Sequence, residues 1–487
     1  MMIELVFAAL AIIPEPTEFK LPAGHLPVGT KIEYEADAKL ALEAYALDVN
    51  PNGRIIIRSS SEAGTFYAKK TLEQLLDWRG YQCAKITDKP QYAWRGVLFD
   101  DCRHFFGKET LKRTLDLMAQ YKLNVFHWHL TDDQGWRLDI PGRPELVKYG
   151  AVRAASPQHW AGPVWTNNTS YTMKLNDERY GPFYYTEADV KEILAYAAER
   201  HIKVVPEIEL PGHVAAALAA YPELACRPEH FATRSPRLIW SIEKDVLCVG
   251  NDDAIRFMEE VLDYVCKLFP SDVIHIGGDE CPQVRWKTCP KCQKRIKDEG
   301  LKDEQGLQPW ITRHFIEFLA KRGKRTIGWD ECLLGDVPAN AIGMSWRAGG
   351  GGAGHKFLQP ADCVRLGHDM VMTPRTFCYL DYRQGLAHDP FQYGGGCVTL
   401  AKSYAFDPCA GIPDEFKGHI LGGQGNNWSE YTWNRFDLEW KMWPRMCALA
   451  EVLWCGNKKP GYEHFLRRMR IHRDRLIDQG VNCAPIE

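Results

Sequence analysis

Asp272-Val273-Ile274-His275-Ile276-Gly277-Gly278-Asp279-Glu280 is the stretch on which the fold turns. Asp272 to Gly277 reads as a short apolar strand, with two adjacent acids just beyond its C-terminal end. Upstream, Asp253 to Leu268 carries Ile255, Met258, Leu262 and Val265 at helical spacing. Downstream, Gln308 to Arg322 reads as a helix and Arg325 to Trp329 as the next strand. Helix, strand, polar turn, helix, strand is the rhythm, and it extends in both directions.

Towards the N-terminus, strands fit at Gly96 to Asp101, Asn124 to Leu130 and Lys203 to Ile208. Lys108 to Tyr121 is the helix between the first two, with Leu111, Leu115 and Met118 on one face. Thr186-Glu187-Ala188-Asp189 has the form of a capping box and opens a helix through Arg200. Towards the C-terminus, strands fit at Ala341 to Trp346, Asp369 to Thr373 and His419 to Gly423, and Asp437 to Trp454 closes the series as a helix. Alternating strands and helices imply an α/β fold with a parallel sheet, and eight such strands imply a closed (β/α)₈ TIM barrel, here residues 91–455. The helices between the sixth, seventh and eighth strands are poorly marked. Residues 1–90 form a small α+β domain, with a buried strand around Ile55-Ile56-Ile57 and a helix from Ala63 to Trp78. Residues 456–487 form a C-terminal helical extension.

Composition narrows the function. The 487 residues carry a formal net charge of -3, with no Lys/Arg stripe interleaved with aromatics, so nucleic acid is not an expected partner. Val6 to Ile13 is apolar but too short to span a bilayer, and no other stretch is transmembrane. That run reads either as a signal-peptide remnant, implying a secreted or periplasmic protein, or as the first strand of the mature chain. The sixteen cysteines form no dense framework. Cys281, Cys289 and Cys292 are the one cluster, open to a structural zinc site, a disulfide or free buried thiols, with no fourth ligand evident. Asn167, Asn168 and Asn427 fit glycosylation sequons.

In barrels of this kind the chemistry sits at the C-terminal ends of the strands. Arg103 follows the first strand, Asp132-Asp133 the second, Pro211-Gly212-His213 the third and Asp279-Glu280 the fourth. The fifth ends at Trp329 and the sixth at Trp346; beyond the seventh stand Tyr379 and Asp381, and beyond the eighth Trp428 and Glu430. Carboxylates accept hydrogen bonds from hydroxyls and indoles stack on C–H faces, so this set suits a neutral polyol. Two adjacent acids cannot both ionise cheaply, which leaves one protonated near neutrality as a general acid. Protonating a glycosidic oxygen requires such a group.

The Arg103-His104 segment, His127-Trp128-His129-Leu130-Thr131-Asp132-Asp133, Pro211-Gly212-His213 and Gly277-Gly278-Asp279-Glu280 resemble the β-N-acetylhexosaminidases of glycoside hydrolase family 20. Tyr379-Leu380-Asp381 and Trp428-Ser429-Glu430 extend the resemblance, which runs from about Trp94 to Trp454. It implies an exo-acting, retaining, substrate-assisted mechanism on glycans ending in a β-N-acetylhexosamine, with no cofactor. By that resemblance Glu280 is the acid and base, Asp279 steadies the acetamido N–H, and Tyr379 holds the acetamido oxygen. Trp329, Trp346 and Trp428 box in the sugar, while Arg103, Asp381 and Glu430 grip its hydroxyls. Asp132 and His213 form a relay behind Glu280. The stretch Arg347 to Gly367, with Gly349 to Gly352 in a row, is longer than the family's usual link and reads as a surface loop or a flap. Two other readings stand beside this one. His127 and His129 share a strand face and, with His213 and His275, could hold a metal in a metal-dependent hydrolase. A degenerate barrel could also bind amino sugars without cleaving them.

Overall fold

Eight parallel strands close into a barrel in the computed structural model. It describes residues 11–157, 164–166, 170–172, 175, 178–347, 357–387, 389–390 and 396–486. The strands are β1 (Trp94–Asp100), β2 (Val125–His129), β3 (Lys203–Glu207), β4 (Val273–His275), β5 (Arg325–Trp329), β6 (Ile342–Ser345), β7 (Asp369–Met372) and β8 (Ile420–Asn427). Each pairs in parallel with its neighbour in sequence, and β8 returns to β1 over Gly422 to Asn427. Inward-facing side chains such as Leu98, Val205, Ile327 and Met344 fill the barrel, so it is a packed core and not a pore.

The helices match the sequence periodicity where it is strong: Lys108–Gln120, Asp252–Leu268 and Leu307–Ala320. The capping box at Thr186 forms, with Thr186 Oγ1 accepting from the Asp189 N–H at 3.2 Å. Pro360–Arg365 and Leu400–Ala405 are six-residue helices around β7, too short to show a period. Three expectations change. Asp437 to Trp454 is not one helix but two, Arg435–Met442 and Arg445–Cys455, broken at Pro444, which has no N–H to continue the ladder. The last strand runs on to Asn427, so Trp428 stands directly at its end. Asn427 itself is 1% exposed inside that strand, which removes it as a glycosylation acceptor; Asn167 and Asn168 lie outside the described residues.

The small domain is a five-stranded sheet in the spatial order Glu18–Lys20, Ala84–Asp88, Tyr45–Asn50, Arg54–Ser59, Ile32–Ala36. The helix Glu62–Gln74 covers one face, opened by Ser61, whose side chain accepts from the Gly64 N–H. It ends four residues before Trp78, because Leu76–Asp77 pairs with Gly80–Gln82 in a second small sheet. Ala11 to Ile13 form no strand; Ile12 and Ile13 are fully buried, and the rest of the apolar N-terminal run lies outside the described residues. Asp88 anchors the domain on the barrel, accepting from Tyr45 at 2.6 Å and Trp454 at 2.9 Å and pairing with the buried Lys122 at 3.0 Å. The C-terminal helix Tyr462–Asp478 ties both together: Arg468 pairs with Glu451 at 2.6 Å, and Arg475 donates to the Gln74 carbonyl at 3.3 Å. Among the described residues no helix is long and apolar enough to cross a membrane.

All sixteen cysteines are free. Cys289 and Cys292 meet Cys226 and Cys248 instead of Cys281. Cys281 packs beside Gly212, where an added Cβ would stand 3.3 Å from it. Sequence proximity grouped the wrong third cysteine, because the chain turns away between Cys281 and the helix Pro290–Asp298.

Candidate active site

β4 is only three residues long, and the turn after it is built for close approach. Gly277 has φ 64° and Gly278 φ 93°. A Cβ on Gly277 would lie 1.7 Å from the Glu209 carboxylate, and one on Gly278 would lie 2.1 Å from Cys332 Sγ. Only glycine fits either position. Glu280 itself has φ 45°, a left-handed conformation that costs a non-glycine residue about 1–2 kcal/mol. Its N–H donates to Glu331 Oε1 at 3.1 Å. Glu331 also accepts from Trp346 Nε1 at 3.4 Å and ion-pairs with the buried Arg347. One carboxylate thus fixes the acid turn of β4 against the aromatic end of β6.

His213, also at positive φ, stands under both acids. Its Nε2 is 3.7 Å from Asp279 Oδ2 and 3.7 Å from Glu280 Oε2, while Nδ1 is 3.2 Å from Asp133 and 3.5 Å from Asp132. Asp132 pairs with Arg103 Nη2 at 2.9 Å and with His129 Nε2 at 2.8 Å. Arg103 continues to Asp100 at 3.0 Å and to Gln134 at 3.0 Å. The ends of β1 and β8 are joined where the Ser429 N–H donates to Asp100 at 2.9 Å. Tyr379 is positioned by a bridge to Asn426 of β8, and its turn is held from behind by Arg445, which donates to the Tyr382 carbonyl at 3.0 Å.

These groups surround a cavity of about 220 Å³ at the C-terminal mouth of the barrel. Arg103, His213, Asp279, Glu280, Trp346, Tyr379, Asp381, Trp428 and Glu430 all line it. Trp346 and Tyr379 stack at 6.2 Å with an 18° interplanar angle, making one flat wall. Arg103 lies 5.1 Å over the Trp428 ring. Asp279 Oδ1 and Asp381 Oδ1 are buried and accept no hydrogen bond among the described residues. Both residues line the cavity, so each brings an unsatisfied acceptor to it that a ligand's N–H or O–H could meet. A larger cleft of about 560 Å³, around Tyr34 and His201, gathers no comparable set of buried acids.

Charge states follow from burial and partners. Burial pushes Asp279 up to about 7; His213 opposes this, while Glu331 and Glu280 add to it. Mutual repulsion of the adjacent acids, expected from the sequence to lead, is a lesser cause; loss of hydration is the larger one. Asp381 is also pushed up to about 7, by burial and then by Glu430. Burial opposes the charge on His213, but Asp132 and Asp279 outweigh it and hold the imidazole well above its ordinary value. Burial keeps the Tyr379 phenol protonated.

Two expected residues do not line the cavity. Trp329 is 1% exposed, donates to Glu207 at 2.8 Å, and backs Trp428 with ring centroids 5.6 Å apart. Asp132 is equally buried and acts on Arg103 and His213. His127, His129 and His275 converge on Glu207, all without exposure. His127 and His275 stand near enough to share an ion with Glu207, while His129 groups with Glu207 and Glu209 instead; an ion at either place would be sealed among buried residues that do not line the cavity. Tyr382 and Tyr431 line the cavity too, and neither was singled out in the sequence. Glu331 was missed although it stands two residues after Trp329 at a strand end. Gly349 to Gly352 lie outside the described residues.

Comparison with known proteins agrees with this geometry. Residues 92–457 match the model of glycosyl hydrolase family 20, catalytic domain, and residues 15–89 that of glycosyl hydrolase family 20, domain 2. A β-hexosaminidase of Porphyromonas gingivalis is 38% identical over 481 residues, 95% of this chain; the chain spans only 57% of that relative's length. A β-hexosaminidase of Akkermansia muciniphila is 32% identical over 476 residues, covering 96% of this chain and 91% of the relative. The crystal structure of an exo β-N-acetylglucosaminidase from Vibrio harveyi in complex with N-acetylglucosamine superposes with a TM-score of 0.85 at 28% identity, covering 98% of this chain and 78% of the other.

Proposed function

Because the chain belongs to glycosyl hydrolase family 20, we propose that it is an exo-acting β-N-acetylhexosaminidase, removing terminal non-reducing β-linked GlcNAc or GalNAc with retention of configuration. The observation that carries this reading is the convergence of Asp279, Glu280 and Tyr379 on one small cavity, with a buried oxygen of Asp279 awaiting a donor.

The sugar's 2-acetamido oxygen attacks C1, and the C1–O bond breaks with its electron pair going to the leaving oxygen, which takes the proton of Glu280. Asp279, as carboxylate, accepts the acetamido N–H and balances the positive charge of the oxazolinium ion. Tyr379 donates its O–H to the acetamido oxygen and fixes the direction of attack. Water then gives a proton to Glu280 while its oxygen attacks C1, restoring the amide and the original configuration. His213, cationic between the two catalytic acids and the Asp132/Asp133 pair, opposes the burial that pushes Asp279 up to about 7, and the carboxylate that steadies the cation is then the form present above that pH. Arg103, Asp381 and Glu430 grip ring hydroxyls, which closes one end of the cavity and makes the cleavage exo.

Release of p-nitrophenol from an aryl β-N-acetylglucosaminide, with proton NMR of the first-formed sugar, tests this. Turnover with the β-anomer appearing first supports it; the α-anomer first, or folded protein without turnover, overturns it.

A further inference from the structure

Cys226, Cys248, Cys289 and Cys292 bring their four sulfurs within 4.8 Å of one another. Three of the pairs, Cys226–Cys292, Cys248–Cys289 and Cys248–Cys292, stand at 3.7 Å. A disulfide would need about 2.05 Å. A tetrahedron of sulfurs about 2.3 Å from a central zinc ion has edges of about 3.8 Å, close to these three separations, and the remaining pairs stay within 4.8 Å. We propose that these four cysteines form a structural zinc site that staples the β3 loop to the β4 loop.

The backbone around the cluster is shaped to bring the four together. Ala225 and Leu247 form an antiparallel bridge, and the Cys248 N–H donates to the Leu224 carbonyl at 3.0 Å, so Cys226 and Cys248 sit on facing chains. Cys289 is the N-cap of the helix Pro290–Asp298 and Cys292 lies in its first turn. Gly250 lets these two parts touch: a Cβ there would lie 2.2 Å from the Lys291 carbonyl carbon and 2.3 Å from the Cys292 nitrogen. Cys248, Cys289 and Cys292 are buried. Four closely grouped thiols with no carboxylate or imidazole among them suit zinc rather than the oxygen-seeking magnesium, calcium or manganese, and a set with no open position is structural.

The staple bears on the active site through short paths. The Leu247 N–H donates to the Pro211 carbonyl at 2.9 Å, two residues before His213. Trp286, between Glu280 and Cys289, donates its indole N–H to the Leu247 carbonyl at 2.9 Å. One ion would therefore fix the loop that carries His213 relative to the loop that carries Asp279 and Glu280.

Metal content of the purified chain, by elemental analysis after dialysis, tests the proposal without any substrate, so its outcome is independent of the glycosidase reading. The expected result is about one zinc per chain. Cys289→Ser/Cys292→Ser should fall below about a tenth of that, whereas Cys281→Ala, adjacent in sequence but outside the cluster, should keep it. Should the double variant fail to fold, the wild-type chain grown with cobalt provides the second test. It should show the sulfur-to-cobalt charge-transfer band and the d–d bands of a tetrahedral tetrathiolate. Absence of zinc, iron in its place, disulfides among these four cysteines by mass, or loss of zinc in Cys281→Ala would each overturn the proposal.

Discussion

The carboxylate of Glu331 accepts the backbone N–H of Glu280 at 3.1 Å. Glu280 sits at φ 45°, so this contact restrains a strained turn at the point where the proton must be delivered. Glu331→Ala should lower kcat by about 10²-fold, the scale of an ångström-sized misplacement. It should also lower stability by about 3–5 kcal/mol, because the buried Arg347 loses its carboxylate partner among the described residues. Glu331→Gln keeps an acceptor and should fall between. Steady-state kinetics and urea unfolding read both effects; an alanine variant with unchanged kcat would refute the anchoring role.

The two adjacent acids should fail differently. Glu280→Gln should cost about 10²–10⁴-fold on glycosides with poor leaving groups and far less on activated aryl glycosides, since only the former need the proton. Asp279→Asn should slow all of them, because the cationic intermediate loses its anion. A series of aryl glycosides of graded leaving-group pKa separates the two patterns. Equal and mild losses from both changes would contradict the assigned roles.

Tyr379 donates to a charge that develops during the reaction, so its loss belongs in kcat. Tyr379→Phe should reduce kcat by about 10²-fold with little change in KM. The ring still stacks on Trp346, and the urea midpoint should move little. A variant that loses only affinity would place Tyr379 in ground-state binding instead.

Stability should carry the titration of His129. Burial opposes its charge, but Glu207 and Asp132 outweigh that and push it up from 6.5 to about 10. The folded state therefore favours the protonated form. Its contribution is whole below pH 6.5, shrinks as the pH climbs, and is gone above about 10. In urea melts, the stability gap between wild type and His129→Gln should narrow from about pH 6 to about pH 9. A gap that widens over that range would show the sign to be wrong.

Strong periodicity made Asp253 to Leu268 and the strand after it readable from the chain alone, and strand ends then pointed to the residues of the cavity. What stayed hidden has physical causes. Pro360–Arg365 and Leu400–Ala405 are too short to show a helical period. Glu207 and Glu331 act on backbone and side chains far along the chain, His129 at one and Glu280 at the other, and such pairings leave no local pattern. Cys226 and Cys248 join Cys289 and Cys292 only through the turn of the β3 loop, so spacing alone selected Cys281. Trp329 was placed by its strand end, but its indole turns inward to Glu207 and its ring supports the wall instead of forming it.

The role of the substrate's own amide is tested most directly by matched aryl β-glucosides that differ only at C2. The account predicts that the 2-acetamido glycoside is hydrolysed at least about 10³-fold faster in kcat/KM than the 2-hydroxy compound, since only the former carries its nucleophile in place. Comparable rates on the two would contradict it.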